Sequence, residues 1–519
     1  QFWTGFAYFN DNIFRGEIRE LSVNVGDMFG SVVAISDLDN LTLSNGFYDA
    51  NDMSILGDVT GTISANGFRN STLDGEQLEF RINRITVGQD LERLTATQNG
   101  TLSDISISVL GDIEGSLTAA NLVRTELQVA NTIRSLVTSE SILASSITAG
   151  QLVAVNVSDT VQLSSFAVAG PIQNFTVQNE IIRSQIAVTG PDGRIDRLTA
   201  TNDLDADISS SGRIGTISSQ NGSISGSIVT TTDRGDVNMI TAAVDIASTT
   251  DIAGDLNMIE AGRNIGDAGD PGVVLVRGNL TELDVSGGRL ISDLRVGGAV
   301  TQGVTIGAVV NLPTDPKDAD GDITVFGRLS SVDIIGDFDG IITSESGGIG
   351  QVNIVNGSRL AGGAVIANDG GIGSVTILSG HLLGDIYADQ TINLVSVQSS
   401  ADGSFGDIGV NEQLSSGTTT TDNARNQLPP GVTATAGIDG PTIASGRAIN
   451  SIIVSGGDII EATIYARTFI GTIAVNGAVR TNAQGGTDET TIIAAGDLIQ
   501  EVFISGAADD VLFLAGVAS

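Results

Sequence analysis

The chain contains no cysteine among its 519 residues. Disulfides, thiolate metal sites and cysteine nucleophiles are therefore excluded, and stability must come from burial and hydrogen bonding. Lysine is nearly missing: Lys317 is the single one among 24 basic residues. Lysine–asparagine isopeptide crosslinks have almost no raw material. Histidine occurs once, at His381. It has no companions that would make a zinc site or a nucleophile–base triad, so a surface role is expected. Proline numbers 8 and aromatics reach only 4%. No run approaches about 18 apolar residues, so no membrane-spanning helix is expected. Positive charge is scarce against 61 acidic residues, and the net charge is −37. Nucleic acid and anionic membrane surfaces are poor partners for such a chain, because phosphate recognition needs basic patches.

What is abundant is glycine, 66 residues of it, and a hydrophobic fraction of 41% made mostly of isoleucine, valine, leucine and alanine. Small and β-branched apolar residues suit thin stacked sheets. One pattern recurs: apolar, two residues, apolar, one residue, apolar. Leu329-Val332-Ile334, Ile349-Val352-Ile354, Ile372-Val375-Ile377 and Ile392-Val395-Val397 show it with first positions 20, 23 and 20 apart. The register runs back through Val300, Leu280, Leu256, Val237, Ile214, Ile195, Ile172 and Leu152. Nearer the start, Ile18-Leu21-Val23, Leu38-Leu41-Leu43, Ile82-Ile85-Val87 and Leu102-Ile105-Ile107 fit it. Nearer the end, Ile449-Ile452-Val454, Ile470-Ile473-Val475 and Ile499-Val502-Ile504 do.

The second half of the motif alternates with period 2, which is a strand signal. Gly-Asp or Gly-Gly pairs often follow, as at Gly57-Asp58, Gly111-Asp112 and Gly336-Asp337. Glycine would supply the positive φ of a corner, and aspartate would bond the adjacent backbone. A unit of about 20 residues with short strands and glycine corners marks a coil that packs only on its neighbours. The expected fold is all-β: a right-handed parallel β-helix, or β-solenoid, with turns of about 20 residues. A series of β-sandwiches is the competing fold, but it does not hold one motif in register for so many cycles.

The register divides the chain. Residues 1–17 form an aromatic cap or assembly segment, 18–306 a solenoid, and 307–323 an acidic loop. Residues 324–397 continue the solenoid, 398–448 are a Ser/Thr/Gly-rich insertion, and 449–519 are solenoid ending in an assembly strand. Phe2, Trp3, Phe6, Tyr8, Phe9 and Phe14 put six of the 21 aromatics into the first 14 residues. They either cap the chain's own coil or pack on a neighbouring subunit. Val511, Leu512, Phe513 and Leu514 make a strongly apolar strand close to the last residue. An uncapped strand end is a template for a further strand, so these ten residues are the candidate assembly interface.

Chemistry-bearing clusters are few. Asp318, Asp320 and Asp322 around Gly321 partly resemble a calcium loop and are the candidate metal ligands. However, Pro316 stands at the first ligand position, and Gly327 stands where the twelfth-position glutamate belongs. Asp203, Asp205 and Asp207 alternate and so share one strand face, read as a solvated exterior. Paired catalytic carboxylates cannot be singled out, and aromatic sugar platforms are sparse beyond the first segment. Apart from that calcium, no cofactor is expected.

The cadence Gly-Asp-Ile-Glu-Gly-Ser-Leu-Thr-Ala at 111–119 resembles that of large repetitive bacterial surface proteins. These include adhesin and autotransporter passenger regions and the repetitive exported proteins of planctomycete-like bacteria. The resemblance covers roughly residues 15–510 and is architectural, so no site residues carry over. It implies secretion and a role at the cell surface. The first residue is Gln1 rather than Met, in keeping with a removed signal peptide. The expected function is a non-enzymatic structural subunit of an extracellular filament or surface layer, assembled head to tail with itself. A monomeric adhesin stalk is the first alternative and a polysaccharide-active β-helix enzyme the second. Cell-surface glycans are the other expected partner.

Overall fold

The computed structural model describes residues 83–96, 100–267, 272–307, 321–336, 338–355, 363–378, 384–398, 442–455, 457–480 and 490–516. It also describes strand segments between residues 3 and 68, and residues 269, 359–360, 381–382 and 438–439. Among these residues every element is a β-strand and every assigned strand pair is parallel, so the protein is a parallel β-solenoid. The chain divides into two compact units, 1–254 and 255–519.

Within the first unit, each winding lays one strand on a motif-bearing face. Leu152, Ile172, Ile195, Ile214 and Val237 stack one above another there. These residues are sealed from solvent. A second face carries the strands Ser165–Val168, Ile181–Val188, Leu204–Ser210 and Ile224–Thr230. A third holds two- and three-residue strands, among them Asn121–Val123, Ile142–Leu143 and Val161–Gln162. Inward positions alternate with outward ones over the second half of each motif strand, as at Phe175-Thr-Val177 and Leu198-Thr-Ala200, so the core is a column of aliphatic side chains. Burying one such side chain fully is worth ~1.5–3 kcal/mol. Phe166 and Phe175, from two different faces, meet edge to face inside it with ring centroids 4.7 Å apart.

The second unit repeats the scheme. Leu256, Leu280, Val300, Leu329, Ile349, Ile372, Ile392, Ile449, Ile470 and Ile499 align on its motif face. Its second face includes Ala364–Ala367, Asp385–Ala388, Thr442–Ser445, Thr463–Ala466, Thr491–Ala495 and Val511–Ala515.

Three expectations need correction. Ile85 and Ile105-Ile107 lie on the second face, not the motif face, and Leu102 lies on the third. The motif face is occupied there by Leu91–Ala96 and Ile113–Ala119. Both faces alternate with the same apolar period, and spacing alone does not tell them apart. The second insertion is also shorter than 398–448: Thr442–Ser445 and Ala448–Ser455 are already ladder strands. Finally, glycine is only half of the positive-φ account: among the described residues seven glycines, Gly347-Gly348 included, adopt it, but so do Asp104, Arg124, Ala144, Leu163, Arg183, Glu461 and Asp510, all with φ near +50°. Gly336 does adopt positive φ, but Gly111 is required for a different reason. A β-carbon there would overlap the Asp90 carboxylate and the Gln89 carbonyl of the neighbouring winding. Gly57, Asp58 and Asp337 lie outside the described residues.

Candidate functional site

Asp267 accepts the N–H of Gly269 as expected of a local turn, but several corner aspartates accept the N–H of the next winding instead. Asp90 Oδ1 receives Asp112 N at 2.7 Å, and Asp112 Oδ1 receives Thr132 N at 2.7 Å. In the second unit Asp293 receives Asp322 N at 3.1 Å, Asp322 receives Ile341 N at 2.8 Å, and Asp385 receives Thr442 N at 2.8 Å. Ile341 and Thr442 open their strands, Asp112 and Asp322 immediately precede theirs, and Thr132 lies within the long strand Glu126–Thr138. Asp322, one of the three candidate calcium ligands, is half-buried and belongs to this corner column. Asp318 and Asp320 lie outside the described residues.

Local partners set the charge states. Two hydrogen bonds from Arg124, at 2.6 and 2.7 Å, hold the Asp104 carboxyl below its ordinary range. Amide and hydroxyl donors from Asn179 and Ser141 do the same for Asp159. Asp385 is different. Its side chain sits in the wall of the coil at 6% exposure, and burial pushes its carboxyl up while the Thr442 amide pulls weakly back. Asp205 and Asp207 do share outward positions; Ser227 Oγ donates to Asp207 at 2.7 Å. They line a polar surface groove of about 500 Å³ with Arg183 and Leu163.

A buried hydroxyl column was not anticipated. Thr125 N donates to Ser145 Oγ, Ser145 N to Ser164 Oγ and Ser164 N to Ser184 Oγ, at 3.0–3.2 Å. Each hydroxyl follows one of the left-handed corner residues Arg124, Ala144, Leu163 and Arg183. The 20-, 19- and 20-residue spacing of these hydroxyls was the available signal.

The other candidate place is the outermost described winding of the second unit. Ile470 and Ile473 are fully buried, but Ile499 and Val502, directly stacked on them, are only half covered. Ile493 is fully buried; Phe513, stacked on it, is 41% exposed. Leu498, Phe503 and Leu512 are exposed beside it. Ile453, Ala474 and Phe503 line an open apolar groove of about 320 Å³ on the outer side. The strands Leu498–Ile504 and Val511–Ala515 each have one strand partner among the described residues. Val511-Leu-Phe-Leu-Ala515 carries no charge to blunt that edge. Near the start, Trp3 pairs with Val23, Tyr8 with Phe29 and Phe14 with Ala34, so this segment is laid on the chain's own coil. The backbone at Phe9 lies on the same strand, opposite Gly30. Phe2 and Phe6 lie outside the described residues. His381 pairs with Arg359 on a two-residue strand. No family model, curated protein or solved structure matches the chain.

Proposed function

We propose that the protein is a structural subunit of an extracellular filament or cell-surface layer, and that copies add head to tail through their outermost windings. The observation that carries this reading is the half-covered core of the winding holding Ile499, Val502 and Phe513, bordered by an uncharged strand edge. In a parallel coil the two outer edges are complementary to each other rather than to themselves. A copy added to such an edge continues the same ladder and leaves an identical edge free. A heterologous joint of this kind does not close, and repeated addition gives a filament. The aromatic-rich strands at Trp3–Thr4 and Ala7–Phe14 supply the other edge. The extracellular part of the reading rests on the resemblance of the Gly111–Ala119 cadence to exported repeat proteins.

Negative-stain imaging of the purified chain tests the assembly. The expected result is end-to-end strings that disappear in Phe513→Asp while the circular dichroism of the strands persists. Isolated particles at every concentration would remove the filament and favour the monomeric adhesin stalk. Recovery of the native protein in the cytosolic fraction of its source cells would remove the extracellular assignment.

A further inference from the structure

The outward side of the second face in the second unit bears a column made of Ile366, Tyr387, Ala444, Tyr465, Ala494 and Leu514. The column is free of charge in a chain whose net charge is −37. Its two tyrosines lie two windings apart with alanine between them. The sequences around them repeat. Ile386-Tyr-Ala-Asp389 and Ile464-Tyr-Ala-Arg467 flank the intervening Ile443-Ala-Ser-Gly446. Large residues therefore stand on both sides of a winding that has only Ala444 and Gly446 at the corresponding outward positions. Gly446 is held to that size: a β-carbon there would overlap the Asp389 carbonyl oxygen.

Side chains of a sheet stand roughly perpendicular to it, and adjacent strands lie about 4.8 Å apart. The backbones of two tyrosines two strands apart thus lie about 9.6 Å apart, and rings standing perpendicular to the sheet leave a gap one ring thick between them. Alanine forms its floor. Beyond one end of the vacancy are Asp389 and Arg467, both exposed. Neither side chain is engaged in a hydrogen bond with another described residue.

We infer that this slot is a binding site for a neutral glycan, with one pyranose ring held over Ala444 between Tyr387 and Tyr465 and its hydroxyls met by Asp389 and Arg467. The chemistry selects this occupant over other flat groups. A nucleobase brings phosphates into the field of a strongly acidic chain. An aromatic peptide side chain would leave Asp389 and Arg467 without partners. A pyranose presents C–H groups to both tyrosine faces and a hydroxyl edge to the charged pair, and tyrosine gives that contact area at low entropic cost. A second copy of the chain is disfavoured by size. Six strands of about four residues cover roughly 24 by 13 Å, well under the ~800 Å² per partner of a stable dimer. The site is independent of end-to-end assembly.

Native affinity electrophoresis through gels containing soluble neutral polysaccharides (mannan, galactan, xylan and β-glucan), with polygalacturonate as the acidic control, tests the inference on the full chain. At least one neutral polymer is expected to retard the protein, and polygalacturonate to leave it unretarded. Tyr387→Ala and Tyr465→Ala should each weaken binding by about tenfold, the loss of one aromatic contact. Ala444→Phe should abolish binding by filling the slot while leaving the melting temperature unchanged or raised. No retardation by any neutral polymer would overturn the site. So would an Ala444→Phe variant that binds as the wild type does, or tyrosine variants whose only effect is on the state of assembly.

Discussion

Asp385 is a carboxylate placed where water barely reaches it, with a single backbone amide from Thr442 as compensation. Burial favours the neutral acid, so its carboxyl titrates above the ordinary aspartate range. The sign of the linkage follows. The folded state binds the proton more tightly than the unfolded chain. The stabilisation from that proton is complete below the unfolded value and is lost as the pH rises through the folded one. Above the unfolded value the burial of this carboxyl is thus a net liability. Asp385→Asn keeps an oxygen for the Thr442 amide and removes the charge. It should raise the midpoint of urea unfolding at pH 7, and the gain over wild type should fade toward pH 3. A variant less stable than wild type at pH 7 would show that the ionised carboxylate has partners that offset its burial.

A winding is held to the next by more than its ladder hydrogen bonds, and the hydroxyl column at the corner shows how. Ser164 is 2% exposed. Its Oγ accepts the Ser145 amide at 3.1 Å and donates to the Gln162 carbonyl at 2.8 Å. Replacing it with alanine strands a buried N–H and should cost ~1–3 kcal/mol. Removing the exposed hydroxyl of Ser227, whose hydrogen bond to Asp207 is open to solvent, should cost less than about 0.5 kcal/mol. Chemical denaturation of the two alanine variants checks the contrast; equal losses would mean the column carries no special weight. Only the regular spacing of these hydroxyls marked this element in the sequence, because a single serine at a corner looks like any solvated loop residue. The strands were legible for the opposite reason. Ile172, Ile195 and Ile214 announce an inward face through alternation with polar neighbours. Strands as short as Val161–Gln162 have no room for alternation, so the sequence left two or three strands per winding open and did not place the third face. The left-handed corners escaped because Arg124, Ala144 and Leu163 adopt φ values that glycine would have advertised. Of the candidate sites, the apolar strand at Val511–Leu514 could be read from hydrophobicity alone. The tyrosine slot could not, since Tyr387, Ala444 and Tyr465 are brought together only by stacking across a long insertion.

Charge governs the molecule as a whole. A net −37 makes every copy repel every other. If joints form through apolar contacts at windings such as that of Phe513, association has to overcome this repulsion at each addition. Salt weakens the repulsion: the screening length falls from about 30 Å at 0.01 M to about 10 Å at 0.1 M. The apolar contact itself is not screened. Assembly followed by light scattering should therefore increase as ionic strength rises over that range. A joint held by ion pairs between copies would respond in the opposite sense, because screening weakens attraction between opposite charges as well. The direction of the salt effect thus separates an apolar joint from an electrostatic one. Phe513→Asp adds a further negative charge inside the joint and should remain unassembled at both salt concentrations. Its recovery at high salt would mean that charge alone, not the loss of core contact, had blocked association.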